Sequence, residues 1–345
     1  MRFTIASVCV LAALVIPGPS PAQQTPNHQP TFTTFDAPGA YHGTYQAAID
    51  EATAQGSDFV YTYINGGDLT AINAQGDIVG FFCFETTQCE QADNFEGSFL
   101  FSRGTYITLN FPSTVDAADP IGINALGEIV GSYLDASNFS QHGFLLWFGN
   151  LIQIDAPGAS SAPFYGTIAT AINAQGDILG QYYDDSGVGH DYVLRNGKFD
   201  DFVVPIPGST SNTPNGISVQ GDVVGNYLDS SGTMHGFLLR KGIAYTIDFP
   251  GATSTSAQGI NSEGDVVGYY NLPLGNNSTF NTLGFLLRND TFTTILPPNG
   301  SSTFLGVLVE ATGINDSGKI VGWYYMAESA GSAGPQGFLL TQKNH

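Results

Sequence analysis

The chain predicts an all-β fold, a six-bladed β-propeller built from four-stranded antiparallel blades. Three observations lead there. A nine-residue phrase recurs six times, each copy is followed by the same order of short apolar runs, and the two ends of the chain carry complementary parts of one repeat.

The recurring phrase has the form Asn-x-x-Gly-Asp followed by β-branched residues and a second glycine. It reads INAQGDIVG at 72–80, INALGEIVG at 123–131, INAQGDILG at 172–180, ISVQGDVVG at 217–225, INSEGDVVG at 260–268 and INDSGKIVG at 314–322. The central glycines, Gly76, Gly127, Gly176, Gly221, Gly264 and Gly318, stand 43 to 54 residues apart. That period suits a propeller blade and is too long for one coil of a β-helix. No apolar period of 3.6 residues accompanies it, which argues against helical repeats.

Each unit then spells four strands, a to d. Strand a is the short segment ahead of the Asn, such as PIGIN or AQGIN, and strand b is the run DIVG with the aromatics after it. Strand c is GSFLF (97–101), HGFLL (142–146), HDYVL (190–194), HGFLL (235–239), LGFLL (283–287) or QGFLL (336–340). Strand d follows a short turn such as RNG and reads, for example, LIQIDAP or YTIDFP. The runs are short, rich in Val, Ile, Phe, Tyr and Thr, and bounded by Gly, Asn, Asp and Pro, as strands are. DIVG and GFLL are apolar at successive positions, so both faces are expected to be buried, as in a blade stacked between two others. The Asn-x-x-Gly-Asp core reads as a turn: the Asn side chain bonds nearby amides and the Gly supplies a left-handed residue. The glycine closing strand b leaves room for a neighbouring aromatic.

The last repeat stops after strand c, at QGFLLTQKNH, whereas residues 31–40, TFTTFDAPGA, match strand d. Pairing the two is expected to complete the last blade and close the ring. Residues 41–68 fit no strand and are expected to form an insertion, either a degraded blade or a surface excursion with a short helix at YQAAIDEATA.

The first residues, MRFTIASVCVLAALVIPGPSPAQQ, place Arg2 before an apolar run, then Ser20-Pro21-Ala22. This is the order of a secretory signal peptide, 1–22, cleaved after Ala22. The run falls short of the roughly 20 residues that span a bilayer. Residues 23–345 then form a single propeller domain, secreted to a periplasmic or extracellular space. Cys83 and Cys89, in CFETTQC, are expected to pair as a disulfide there.

With 30 acidic against 9 basic residues the net charge is −21. Nucleic acid and anionic membranes, which both require basic patches, are excluded as partners. His142, His190 and His235 begin strand c in separate blades, too far apart for a shared metal, and a strand-end hydrogen-bonding role is expected of them. The b–c loops and d–a crossings vary in length while the a–b and c–d turns do not. In an up-and-down blade both variable sets fall on one face, where function is expected. Candidate binding residues there are Asp135, Asp184, Asp185 and Asp229. The loops DDSG and DSSG hold oxygen ligands of the kind calcium takes, but they are also ordinary turns, and no cofactor is expected. The motifs Gly-x-Ser-x-Gly, His-Glu-x-x-His, Gly-x-x-x-x-Gly-Lys and Cys-x-x-Cys are absent.

Through GINALGEIVGSYLD (122–135) and HGFLLWFGNLIQIDAPGA (142–159) the chain resembles the bacterial extracellular HAF-repeat family. The family's His-Ala-Phe-like step stands here as His142-Gly143-Phe144 and His235-Gly236-Phe237 and departs to His190-Asp191-Tyr192, Leu283-Gly284-Phe285 and Gln336-Gly337-Phe338. The resemblance implies a secreted bacterial repeat protein and carries over no catalytic residue. The reading is therefore a monomeric, non-catalytic binding propeller whose partner is a glycan or another cell-surface component. The other reading is a hydrolase or lyase acting on polysaccharide through carboxylates on the variable-loop face.

Overall fold

The apolar runs pair as the repeats predict. In the computed structural model, which describes residues 33–36, 59–65, 67–82, 97–274, 279–296, 307–326 and 336–342, every element is a strand. Two strands precede the repeats, β1 (Thr33–Asp36) and β2 (Phe59–Asn65). The first repeat comprises β3 (Gly67–Ile72), β4 (Ile78–Phe82), β5 (Gly97–Ser102) and β6 (Thr105–Leu109). The second comprises β7 (Val115–Ile123), β8 (Ile129–Asp135), β9 (Gln141–Trp147) and β10 (Asn150–Ile154). The third is β11 (Thr167–Ile172), β12 (Ile178–Tyr183), β13 (Gly189–Arg195) and β14 (Lys198–Phe202). The fourth is β15 (Ser211–Ile217), β16 (Val223–Leu228), β17 (Met234–Arg240) and β18 (Ile243–Ile247). Each of these is a separate four-stranded antiparallel sheet, and the molecule is an all-β propeller.

A further sheet of nine strands holds β19 (Ser254–Ile260), β20 (Val266–Leu274), β21 (Thr279–Arg288) and β22 (Thr291–Ile295), then β23 (Val307–Ile314), β24 (Ile320–Met326) and β25 (Gln336–Gln342), with β2 and β1. The two groups are joined by one parallel bridge, Thr282 to Leu308. The strand that completes the last repeat is β2, antiparallel to β25 from Phe59–Gln342 to Asn65–Gln336. This corrects the expectation that residues 31–40 do so: β1 lies outside β2 and parallel to it. Chain connectivity supplies the reason. A single residue separates β2 from β3, so β2 enters the first repeat by a minimal crossing, whereas a strand ending near residue 40 would need a long connection. Part of the predicted insertion, 59–65 and 67–68, is therefore strand. The rest of it, together with the expected signal segment 1–22 and the expected Cys83–Cys89 pair, lies outside the described residues.

The glycine closing strand b has the predicted use. A Cβ on Gly131 would meet the Asp119 carbonyl oxygen at 1.9 Å and the Phe144 ring at 2.8 Å, and one on Gly225 would meet the Thr213 oxygen at 2.1 Å and Phe237 at 2.8 Å. Each a–b ladder carries a bulge that drives a strand-a carbonyl onto this glycine. The freed space is filled by Phe99, Phe144, Tyr192, Phe237, Phe285 and Phe338, all buried.

The a–b turns lock the repeats to one another. Asn73 Oδ1 accepts from the Gln75 and Asp77 amides at 3.0 and 2.9 Å, with Gly76 at φ +87°. Its Nδ2 donates to Asp77 Oδ2 and, at 3.0 Å, to the Asn124 carbonyl of the next repeat. Asn124 donates to the Asn173 carbonyl, Asn173 to Ser218, Asn261 to Asn315, and Asn315 back to Asn73. Ser218 stands where the chain of asparagines is broken; there Gln220 Nε2 donates to the Ser262 carbonyl. On the same face Arg195, Arg240 and Arg288 pair with Asp177, Asp222 and Asp265. Behind the turns the innermost strands touch backbone to backbone: a Cβ on Gly259 would lie 3.2 Å from Gly313 Cα, and one on Gly313 would lie 3.3 Å from Ala71 Cα. The axis is thus tightly packed at this end, and the opposite face holds the variable loops.

Candidate functional site

Three groups of residues on or behind the variable-loop face have chemical potential: the Asp-bearing b–c loops, the carboxylates of the innermost strands, and an exposed aromatic cluster.

The b–c loop of the fourth repeat repeats the a–b turn with Asp in place of Asn. Asp229 Oδ1 accepts from the Ser231 and Thr233 amides at 2.8 and 2.9 Å, and Gly232 sits at φ +81°. Asp184 does the same with Ser186 and Val188, around Gly187. The amide bonds hold Asp184 below the usual carboxylate range, and the Ser231 hydroxyl, donating to Asp229 Oδ1 at 2.7 Å, together with the amides holds Asp229 at about 2. Asp135 is lowered by Ser137, which donates through both its hydroxyl and its amide. Asp185 is exposed and makes no hydrogen bond among the described residues.

The second carboxylate oxygen meets a histidine of the same repeat. Asp184 Oδ2 lies 3.1 Å from His190 Nε2, and Asp229 Oδ2 lies 3.4 Å from His235 Nε2. His235 Nδ1 also bonds Asp248 at 2.8 Å, and His142 bonds Asp155 at 2.7 Å and the Ser140 hydroxyl at 2.8 Å. Each imidazole packs against a tyrosine of strand b: His142 on Tyr133, His190 on Tyr182 and His235 on Tyr227, with centroids 4.8 to 5.2 Å apart. Each of these three histidines is thus held inside its own repeat. The four aspartates named from sequence share a face but sit on three successive repeats, and no group of three metal-ligating side chains occurs among the described residues.

Sequence reasoning missed the inner carboxylates. Counting back five residues from the Asn or Ser of each a–b turn gives Asp68, Asp119, Ile168, Thr213, Ser256 and Glu310. Strands β23 and β3 are joined by the Thr312 hydroxyl, which donates to the Leu69 carbonyl at 2.6 Å. Burial pushes Asp68 up to about 7, and burial together with the Asp68 charge pushes Glu310 up to about 7. Asp68 Oδ1 is buried with no hydrogen-bond partner among the described residues. Burial also raises Asp119, and it pushes Asp191 up to about 6 against the opposing bonds from Gln181 and Asn212.

The aromatic cluster spans two repeats. Phe139, in the b–c loop of the second, and Phe164, in the crossing to the third, lie nearly parallel with centroids 6.1 Å apart. Tyr165 packs edge-on against Tyr183 at 6.0 Å. The loops are tied together: the Phe164 amide donates to the Phe139 carbonyl at 2.8 Å and the Gln141 amide to the Tyr165 carbonyl at 3.0 Å. On the opposite face a hollow of about 500 Å³ is lined by Gln75, Asp77, Ser102, Arg103, Thr105 and Ile107. Among the described residues, no helix is long and apolar enough to cross a membrane.

No protein-family model matches the chain. No curated protein matches it in sequence. Solved structures do. A protein of unknown function from Dyadobacter fermentans is 12% identical, with 83% of this chain and 98% of that one covered and a TM-score of 0.50. TolB from Acinetobacter baumannii is 8% identical over 93% and 96% of the two chains, with a TM-score of 0.45. AofleA from Arthrobotrys oligospora is 12% identical over 86% and 89%, with a TM-score of 0.44. At these identities the likeness concerns the fold alone.

Proposed function

We propose that the chain is a secreted six-bladed propeller of HAF-repeat type that binds a cell-surface ligand on its variable-loop face without converting it. Six blades are supported by the division of the nine-stranded sheet at a single bridge and by the Asn315-to-Asn73 bond that joins the last repeat to the first. The observation that carries the binding reading is the use to which the face's carboxylates are put. Asp135, Asp184 and Asp229 each cap the amides of their own loop, on three separate repeats, and the histidines that meet Asp184 and Asp229 are stacked on tyrosines of their own repeats. A general acid and base must reach the same bond, and loop aspartates spread over three repeats do not.

A second reading rests on Asp68 and Glu310. Two neighbouring carboxylates raised to about 7 can stand one protonated and one ionised, the two states that acid–base hydrolysis of a glycoside uses. The test is an array of glycans and cell-wall polysaccharides probed with the mature protein, with products measured on every hit. Binding without turnover is expected. Turnover that is lost in Asp68→Asn would replace the first reading with the second. Amino-terminal sequencing of the exported protein is expected to begin at Gln23.

A further inference from the structure

Phe139 and Phe164 occupy backbone that phenylalanine avoids. Their φ angles are +58° and +64°, in the left-handed region where bulky side chains are outliers. The comparison within the molecule is direct. The b–c loops of the third and fourth repeats place Gly187 and Gly232 at their left-handed residue, whereas the loop of the second places Phe139 there. Strain of this kind persists where the surroundings over-determine it, and it gathers at ligand sites. Here the inter-loop bonds from Phe164 and Gln141 do the fixing.

The rings so held are not buried. Phe139 is 43% exposed, Phe164 67% and Tyr165 43%. A Cβ on Gly187 would lie 3.8 Å from the Tyr165 ring, so the cluster is continuous across the seam between the repeats. Its edge is polar, with Ser137, Asn138, Asp185 and Ser186 all exposed.

Building on the binding reading, we infer that Phe139, Phe164 and Tyr165 form the subsite for a sugar ring of a neutral glycan. The electron-rich face of an aromatic ring attracts the slightly positive C–H face of a pyranose, and a rim of carboxylate, amide and hydroxyl groups takes its hydroxyls. The net charge of −21, with Asp185 at the rim, disfavours uronic or sulfated sugars. The size of the patch favours a sugar over a protein surface. Three rings so exposed offer roughly 300 Å² if each buries about 200 Å² when covered. A stable protein interface takes about 800 Å² from each partner.

The opposite face supplies a matched control. Phe148 also sits at positive φ, +48°, and is 84% exposed in the c–d turn beside Trp147. The mature protein is titrated by calorimetry with neutral glucose-, mannose-, galactose-, fucose- and xylose-based oligosaccharides and with polygalacturonate. At least one neutral oligosaccharide is expected to bind and polygalacturonate is not. Phe164→Gly, which suits the left-handed backbone, is expected to keep the folding midpoint while weakening binding at least tenfold. Phe164→Trp is expected to retain binding, and Phe148→Gly to leave it unchanged. Binding lost in Phe148→Gly but kept in Phe164→Gly would overturn the inference, as would preference for polygalacturonate or failure of every neutral oligosaccharide to bind. A non-glycan ligand displaced by Phe164→Gly would overturn the glycan assignment and leave the binding face standing, whereas turnover of a bound sugar would overturn the binding reading itself.

Discussion

The turn at Asn73 and the turn at Asp229 are the same piece of backbone placed on opposite faces. In each the first residue's amide bonds the carbonyl four residues on at 3.0 Å, and a left-handed glycine bonds back at 3.1 Å. In each, Oδ1 of that first side chain caps two amides. They differ in one atom. The second atom of Asn73 is a donor, and it reaches the carbonyl of the next repeat. The second atom of Asp229 is an acceptor, and it turns to His235 in its own repeat. Asn73 is 3% exposed, while Asp229 is partly open to solvent. A donor at this position fastens one repeat to the next and holds the turn's length constant. An acceptor leaves the loop answerable only to its own sheet, so neighbouring loops are free to diverge.

The substitution that breaks the comparison hardest is Asn73→Asp. It keeps both caps but turns a buried donor into an acceptor facing Asp77 and the Asn124 carbonyl. A loss on the order of 3 kcal/mol is expected from urea unfolding. The mirror change, Asp229→Asn, keeps its caps and is expected to lower the urea midpoint far less; an equal fall would abolish the distinction between the faces.

Gly216→Ala probes the packed axis behind the fastened turns. Its Cβ would meet the Gln258 carbonyl at 3.0 Å and Gly259 Cα at 3.2 Å, and a cost of about 2 kcal/mol is expected.

The inner carboxylates add a pH signature. Their folded-state values lie above the unfolded ones, so the native state holds protons that the unfolded state releases. Stability should therefore fall as pH rises from about 4 to about 7 and level off above that. Asp68→Asn should flatten part of this slope and raise stability at pH 8 by roughly 2 kcal/mol, a figure reduced for partial exposure. A slope unchanged in the variant would show that Asp68 titrates normally.

The mildest change sharpens the comparison by extending it. Ser218→Asn supplies the one missing donor, toward the Asn261 carbonyl, and is expected to add about 1 kcal/mol.

Much of the scaffold was legible because it repeats. Asn-x-x-Gly-Asp announced its turn, and the paired glycine and aromatic of strands b and c announced their close approach. The closing strand was not legible: residues 59–65 resemble no other strand d, while Asp-Ala-Pro-Gly in 36–39 does. Strand identity there is decided by which segment adjoins β3, a fact of connectivity that side-chain pattern does not record. Asp68, Asp119 and Glu310 were not legible because they stand within strands β3, β7 and β23, where no change of loop length marks them. Their signal lies in register: five residues before the turn asparagine or serine, three of the six repeats carry an acid. The Phe139 site had a quieter signal, a phenylalanine where sister loops carry glycine.

The asparagine turn also bears on origins. A unit that presents a donor on one flank and the matching carbonyl on the other is complementary to its own copy. Head-to-tail contacts of this type form closed rings when the rotation between copies returns to its start. Duplicating such a segment within one gene requires no new surface, only a linker. Single repeats made as separate chains are expected to associate through the same bonds around a common axis.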